Sequence, residues 1–99
     1  MEKKCCICKR EFIGMGNNPE PIMEGCCCDD CNSKFVIPAR LYEATVEEIN
    51  YFEVARSPLE YRKLKMKLQE KNFEKYKMIQ YMSLYQNPEN EEKVALIIV

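Results

Sequence analysis

Cys5-Cys6-Ile7-Cys8 and Cys26-Cys27-Cys28-Asp29-Asp30-Cys31 are the two stretches that decide how this chain of 99 residues folds. Each stretch holds a Cys-x-x-Cys pair, and the 19 residues between the pairs give a spacing typical of four-thiolate zinc sites. Two residues between cysteines allow one tight turn to aim two sulfurs at a single ion, and two such turns complete a tetrahedron. Four residues are therefore predicted to bind a structural Zn²⁺: Cys5, Cys8, Cys28 and Cys31.

Three surplus cysteines, Cys6, Cys26 and Cys27, lie within the same two stretches. The spacing leaves open whether one of them, Cys27 above all, replaces a predicted ligand, and four thiolates alone do not distinguish zinc from iron. Cys6 and Cys27 are otherwise expected to be small buried spacers, because a free cysteine behaves as a small hydrophobe. A redox Cys-x-x-Cys pair is the remaining alternative, but the βαβ pattern that accompanies thioredoxin-like motifs is missing.

The segment before Pro38 has only a small set of side chains with which to build a core. Its large apolar residues between the cysteines are Phe12, Ile13, Met15, Ile22 and Met23. Burial of so few side chains does not offset the entropy lost when the segment becomes ordered. A bound metal ion, together with packing against the rest of the chain, is therefore expected to stabilise it.

A hairpin and a helix are predicted around the cysteines. Residues 9–13 have the β-branched and aromatic character of a strand, residues 14–21 are rich in turn-forming residues, and residues 22–24 are the expected returning strand. A helix is predicted from Asp29 toward Tyr42, because acidic residues are stabilised at a helix N-terminus. This order of elements is a treble clef. A zinc ribbon, with a strand in place of the helix, is the alternative.

Two further helices are predicted after this zinc module. Thr45 begins a capping-box sequence, which predicts a helix to about Arg56. Ser57 is a better N-cap, and the helix that follows it is expected to be long and to end near Gln86, before Pro88. The predicted fold class is α+β in a single domain of residues 1–99, made of a zinc module (1–41), a helical part with a long C-terminal helix (42–86), and an acidic turn with a terminal strand (87–99).

The terminal strand is predicted from residues 94–99, which are apolar at every position. Such a run is typical of a strand that is buried on both faces. We expect it to pair with the hairpin of the zinc module or with a partner chain, because an unpaired apolar edge promotes aggregation.

The long predicted helix is apolar on two faces, of which one is enough to pack on the domain. The second face is either buried by the rest of the chain or forms a surface for self-association or for a partner, since exposed apolar patches usually mark contacts. The partner-binding residues predicted on this basis, with the lysines beside them, are Leu59, Lys63, Met66, Lys67 and Phe73.

Composition excludes several classes of function. The chain has no histidine, no phosphate-binding glycine loop and no nucleophile elbow, so it is not expected to be an enzyme. The net charge of −1 disfavours non-specific nucleic-acid binding, although residues 58–86 carry seven basic against three acidic side chains. Seven cysteines and a charged N-terminus without a signal sequence favour a cytoplasmic location, and no apolar run is long enough to span a membrane.

Several motifs in the first 41 residues carry a resemblance to a known group of proteins. They are Cys5-Cys6-Ile7-Cys8, Phe12, Gly16-Asn17-Asn18-Pro19-Glu20-Pro21, Cys27-Cys28-Asp29-Asp30-Cys31-Asn32 and Val36-Ile37-Pro38-Ala39-Arg40-Leu41. With these motifs the chain resembles a group of small cysteine-rich proteins from phages and prophages of Gram-positive bacteria. The resemblance implies a phage-borne zinc-finger module that acts in the bacterial host cell. In size, zinc module and origin the chain is also similar to metal-containing anti-CRISPR proteins, which bind a CRISPR effector such as Cas9.

The leading hypothesis is a zinc-stabilised protein that inhibits a bacterial defence system. It would bind a Cas9-type effector and block its DNA binding or cleavage, with charged surfaces guiding the encounter. The alternative is a phage nucleic-acid-binding zinc-finger regulator, whose affinity would fall steeply with salt. A third hypothesis is a purely structural phage component or a homodimer.

Overall fold

The structure is a computed structural model that describes residues 2–99. Its elements are strand β1 (Glu2–Lys4), strand β2 (Glu11–Ile13), helix α1 (Asp29–Cys31), a π-helical segment (Asn32–Val36), helix α2 (Ile37–Thr45), strand β3 (Tyr51–Ala55), helix α3 (Pro58–Glu70), strand β4 (Glu74–Ile79), strand β5 (Met82–Gln86) and strand β6 (Lys93–Ile98). Helix α1, the π-helical segment and helix α2 follow one another without a break. The fold is therefore a small α+β arrangement that ends with a strand.

A four-stranded sheet with the strand order β3-β6-β5-β4 forms the centre of the fold. Strand β6 runs parallel to β3, with Val94 opposite Tyr51, and antiparallel to β5, with Val94 opposite Tyr85. Strands β4 and β5 form an antiparallel hairpin, and the register shifts at Tyr76 in a β-bulge. Strand β6 is thus an interior strand, and β3 and β4 are the two edges.

Strand β6 is buried on both faces, as the apolar run predicted. Val94 and Leu96 pack beneath helix α3, whereas Ile97 packs against the segment of residues 2–36 that carries the cysteines, here called the cysteine module. Ala95 packs against Tyr42 of helix α2. The expected pairing of this strand with the hairpin of the zinc module is wrong, because β3 and β5 occupy both of its edges.

The long helix predicted after Ser57 is wrong. Its start is confirmed, since the Ser57 hydroxyl accepts a hydrogen bond from the Glu60 N–H at 3.1 Å. The helix ends at Glu70, however, and the chain turns through Asn72, which has a φ of 66°, into the β4–β5 hairpin. Residues of β5 alternate between the two covered faces of the sheet, and this burial outweighs the helix propensity of the segment.

The helix predicted from Thr45 to about Arg56 is also wrong. Thr45 is the last residue of helix α2, and its hydroxyl donates to the Leu41 carbonyl at 2.7 Å instead of capping a new helix. The chain then forms strand β3, whose aromatic and β-branched side chains suit pairing with β6. Contact with a distant strand therefore overrides a local capping signal.

The helix predicted from Asp29 is confirmed, and it continues through Pro38. Proline lacks an N–H and crowds the preceding turn of an α-helix. The π-helical segment that precedes Pro38 accommodates it, with the Ile37 N–H bonded to the Asn32 carbonyl. Because a helix rather than a strand begins at the second cysteine pair, the zinc-ribbon alternative is wrong.

The hairpin of the cysteine module uses a different partner strand from the predicted one. Strand β2 lies within the predicted residues 9–13, but it pairs with β1, with Lys3 opposite Phe12. Residues 22–24 form no strand, and Ile22 is buried against the cysteines instead. The second half of the predicted hairpin is therefore wrong, while the division of the chain into a single domain with three parts stays a prediction.

Candidate metal centre

The structure brings together the four cysteines of the two Cys-x-x-Cys pairs. The sulfurs of Cys5, Cys8, Cys28 and Cys31 all lie within 4.8 Å of one another. A tetrahedral ion with metal–sulfur bonds of ~2.3 Å requires sulfur–sulfur distances of about 3.8 Å. The distance between the Cys8 and Cys28 sulfurs, one from each pair, is 3.9 Å and thus close to this value.

Each cysteine pair lies in a turn that directs backbone N–H groups at sulfur. The Cys8 N–H faces the Cys5 sulfur at 3.5 Å, and the Cys31 N–H faces the Cys28 sulfur at the same distance. Lys9 closes the first turn with a φ of 67°, and its backbone N–H donates a hydrogen bond to the Cys5 carbonyl. The second turn is the start of helix α1, for which Cys28 is the N-cap. These donors stabilise negative charge on sulfur.

The protonation of the thiols fits a metal cation at the centre. Burial by itself would raise the pKa of Cys5, but backbone hydrogen bonds, first that from Cys8, lower it to about 6. Burial raises the pKa of Cys31, and the neighbouring sulfurs raise it further. Four sulfurs this close cannot all ionise alone, because like charges repel. A divalent, thiolate-binding ion such as Zn²⁺ would resolve this conflict, and the donor set therefore suits it.

Charged side chains at the surface of the centre compensate the two aspartates beside the ligands. The Asp30 carboxylate lies 3.2 Å from the Lys34 ammonium and 3.9 Å from the Arg10 guanidinium. The Cys8 sulfur, followed by Asp30, raises the pKa of Arg10. Asp29 accepts a hydrogen bond from the Asn17 side chain at 2.8 Å. The negative charge of these two aspartates is thus offset by cations, by an amide group and by the N-terminus of helix α1.

The three surplus cysteines lie outside the group of four. Cys27 is fully buried, and burial raises the pKa of its thiol to about 12, so it is a neutral spacer in the core. Burial also raises the pKa of Cys6. The half-buried Cys26 thiol donates to the Met15 carbonyl at 3.3 Å. Of Cys27 and Cys28, it is Cys28 whose sulfur the structure brings to the other three.

Two arginines that the sequence did not indicate as functional hold the cysteine module in place. Arg56, at the end of β3, donates from Nε to the Ile7 carbonyl at 2.6 Å and from Nη2 to the Cys6 carbonyl at 2.9 Å. Arg40 donates to the carbonyls of Glu20 and Asn18 at 2.8 and 2.9 Å. Arg40 lies in the motif of residues 36–41. Arg56 contacts residues about 50 positions away, so the sequence around it gives no sign of this role.

The five predicted partner-binding residues do not lie on one surface. Leu59, Lys63, Met66 and Lys67 are exposed on the side of helix α3 that points away from the buried Leu68, and this set is named the outer face of α3. Phe73 lies beyond the end of the helix and is buried in the core. The structure therefore separates Phe73 from the other four.

The arrangement of the centre limits its chemistry. Four protein ligands fill all positions of a tetrahedral ion, which is the pattern of structural rather than catalytic zinc sites.

None of the helices within residues 2–99 combines the length and the apolar character required to cross a bilayer. The chain matches no known family model, no curated protein and no solved structure. Function must therefore be argued from the site and the surface.

Proposed function

We propose that this protein is a zinc-stabilised, non-catalytic binding protein that inhibits a bacterial defence nuclease by covering part of its surface. The observation that carries the proposal is the closed centre, in which four sulfurs lie within 4.8 Å of one another. An ion held in this way has no position for water or substrate, so it stabilises the fold. The activity is then expected to come from the outer surface of the molecule.

The outer face of α3 supports a binding role. Leu59 and Met66 are 61% and 59% exposed, and Lys63 lies between them on the same side of the helix. Apolar side chains grouped on an exposed helix face favour contact with another protein. Charged side chains around such a group add specificity and speed to the encounter.

The proposed target is a Cas9-type effector. The resemblance of the first 41 residues to phage proteins motivates this choice, because phages gain from inhibitors of bacterial defence. Binding would block the DNA binding or the cleavage of the effector by occupying a surface that either step requires. The proposed setting is the cytoplasm of the bacterial host, where the effector acts.

Complex formation and DNA cleavage should be measured together for a panel of purified, guide-loaded Cas9-type effectors. The expected result for at least one effector is a stable complex and a loss of cleavage at equimolar inhibitor. If the metal-loaded protein forms no complex with any effector of the panel, this target class is wrong.

A matched pair of leucines tests which surface is used. Leu59 on helix α3 and Leu41 on helix α2 are both 61% exposed, so serine at either position removes the same apolar group. Leu59→Ser is expected to weaken binding by about tenfold, which is ~1.4 kcal/mol. Leu41→Ser is expected to leave the affinity within about twofold. Equal losses for the two variants would remove the outer face of α3 from the proposal.

A groove of about 740 Å³ between helix α3 and strand β4 favours a second candidate, a nucleic-acid-binding regulator. The polar residues of its lining are Lys65, Gln69, Asn72, Lys75 and two carboxylates, Glu74 and Glu89. The two ammonium groups would contact phosphates, and the amides would contact bases or sugars. The carboxylates repel phosphate, which makes this the weaker of the two proposals.

The salt dependence of oligonucleotide binding tests this second candidate. Contact of the two lysines with phosphates predicts an affinity that falls as the salt concentration rises from about 50 to 200 mM. The double variant Lys65→Gln/Lys75→Gln is expected to reduce the slope of log K against log salt by about 2. Fluorescence anisotropy with single-stranded and duplex oligonucleotides measures both quantities. Binding that is undetectable at the lower salt concentration would exclude this function.

A further inference from the structure

The two edges of the central sheet differ in how well they are protected against pairing with another strand. Strand β4, at one edge, exposes Lys75 and Lys77 and is bulged at Tyr76. Proteins use edge lysines and bulges to prevent another strand from pairing with a sheet. Strand β4 is therefore a protected edge.

Strand β3, at the other edge, has neither an edge lysine nor a bulge. Its sequence, Tyr51-Phe52-Glu53-Val54-Ala55, contains no lysine, proline or glycine, and its register with β6 is unbroken. No strand pairs with its outer side in the part of the chain that the structure describes. Residues 51–54 are all half-buried, as expected for a strand that is covered on its faces and open along its edge.

Packed side chains support this open edge on both faces. Phe52 and Val54 pack against the cysteine module on one face of the sheet. On the other face, Tyr51 packs with residues of helix α3, among them Leu64. An added strand would therefore lie between the cysteine module and helix α3. Main-chain hydrogen bonds along such an edge supply affinity, and side-chain pockets beside it supply specificity.

Glu53 indicates the chemistry of the strand that would bind. Its half-buried carboxylate lies at the middle of β3 and takes part in no ion pair within residues 2–99. Burial, and then the charges of Glu92 and Glu53, raise the pKa of Tyr51, so the edge is negative around this side chain. An opposite charge across a strand pair is stabilising and a like charge is destabilising. A basic segment fits here, whereas a symmetric second copy that paired along the full length of β3 would place Glu53 against its own equivalent.

We propose that the β3 edge is a strand-addition site for an extended segment of the partner protein that carries lysine or arginine opposite Glu53, between apolar residues. The inference rests on the proposed function for the identity of the partner. The strand addition itself is a property of this chain, and a peptide tests it without the nuclease.

Nuclear magnetic resonance of the full, metal-loaded chain tests the site with a defined probe. The probe is the peptide acetyl-Thr-Val-Lys-Val-Thr-amide, and a control peptide carries glutamate in place of the lysine. The lysine peptide is expected to shift the amide signals of residues 51–55 in a saturable manner and to slow their hydrogen exchange. The glutamate peptide is expected to bind at least about tenfold more weakly. Shifts confined to β4 or α3, equal binding of the two peptides, or no shifts at all would overturn the proposal.

Two charge reversals on the opposite edges provide matched variants. Glu53→Lys and Glu74→Lys change the net charge equally, and both lie in edge strands. Glu53→Lys is expected to weaken binding of the lysine peptide by at least about thirtyfold, and Glu53→Gln by a smaller factor in the same direction. Glu74→Lys is expected to stay within about threefold of the wild type. Equal losses at the two positions would show a general charge effect and overturn the site.

The strand-addition site and the proposed function fail separately. Peptide binding at β3 without any complex with an effector would refute the nuclease as partner and leave the site standing. Equal affinity of the wild type and Glu53→Lys for the effector would refute the site and leave the function standing. Sedimentation of the free protein tests whether a second copy of this chain occupies the β3 edge instead. A dimer in which the amide hydrogens of residues 51–55 exchange more slowly than in the monomer would assign the edge to a second copy and overturn the proposal.

Discussion

Replacement of Cys31 by serine tests whether the four sulfurs act together through one metal ion. Cys31 is 1% exposed, and its sulfur lies within 4.8 Å of the other three. A structural zinc ion contributes an apparent ~10–16 kcal/mol, which is about 2.5–4 kcal/mol for each of four ligands if they share it equally. Because a domain of this length loses about 4–8 °C in Tm per kcal/mol, Cys31→Ser is expected to melt at least about 10 °C below the wild type.

Cys26→Ser is the matched control for this experiment. Cys26 belongs to the same cysteine-rich stretch, but its thiol donates to the Met15 carbonyl and lies outside the group of four. A serine hydroxyl can make the same hydrogen bond, so the free energy of unfolding is expected to change by less than about 0.5 kcal/mol. Circular dichroism gives the two melting temperatures, and elemental analysis gives the metal content. Equal melting temperatures, with the metal retained by Cys31→Ser, would refute the reasoning.

Three other substitutions and one change of pH probe contacts around the centre. A Cβ on Gly16, whose φ is 78°, would clash with the Cys26 sulfur, so Gly16→Ala is expected to cost about 2–5 kcal/mol from strain and overpacking. Arg56→Met removes two charged hydrogen bonds to backbone carbonyls and is expected to cost about 2–4 kcal/mol. The Ser83 hydroxyl is buried and has no hydrogen-bond partner within residues 2–99, so Ser83→Ala is expected to stabilise the protein by up to about 1 kcal/mol. The pKa of Cys5, at about 6, is below its ordinary value of 9.0. The stability that the Cys5 thiolate contributes to the folded protein is therefore complete above about pH 9 and is lost as the pH falls through about 6.

Each of these expectations has a result that would contradict it. Gly16→Ala should cost less in a Cys26→Ala background, and strictly additive losses would show that the two side chains do not compete for space. An unchanged Tm in Arg56→Met would mean that the two carbonyls find other donors. A destabilised Ser83→Ala would reveal a partner for the hydroxyl. A Tm and a metal content that stay constant between about pH 7.5 and 4.5 would contradict the role of the thiolates.

The cysteine centre was predictable because its signal is local. Two residues between the cysteines of each pair fix the geometry of a turn, and the sulfurs of a turn can be placed without knowledge of the rest of the fold. The start of helix α3 was predictable for the same reason, since Ser57 caps the helix within its own first turn. The burial of β6 followed from its uninterrupted apolar sequence.

The sheet was not predictable, because long-range pairing decides it. The local signal that ends helix α3 after Glu70 is weak: Asn72 takes the left-handed conformation there, but no glycine or proline occurs between Lys71 and Gln86. Strand β5 is buried on both faces and includes Ser83, so it lacks the alternation of apolar and polar residues that marks a half-exposed strand. Strand β3 became a strand only through its parallel pairing with β6, about forty residues later in the chain. The sequence of the module likewise left no sign that Arg56 would donate to its backbone.

The metal content of the native protein tests the central claim most directly. Native mass spectrometry of protein purified without added metal, combined with elemental analysis, measures how many ions each folded chain carries and which element they are. The account predicts one divalent ion per chain, with zinc as the element, bound to Cys5, Cys8, Cys28 and Cys31 and released only when the protein unfolds. A folded, cooperatively melting protein that contains no metal would contradict it.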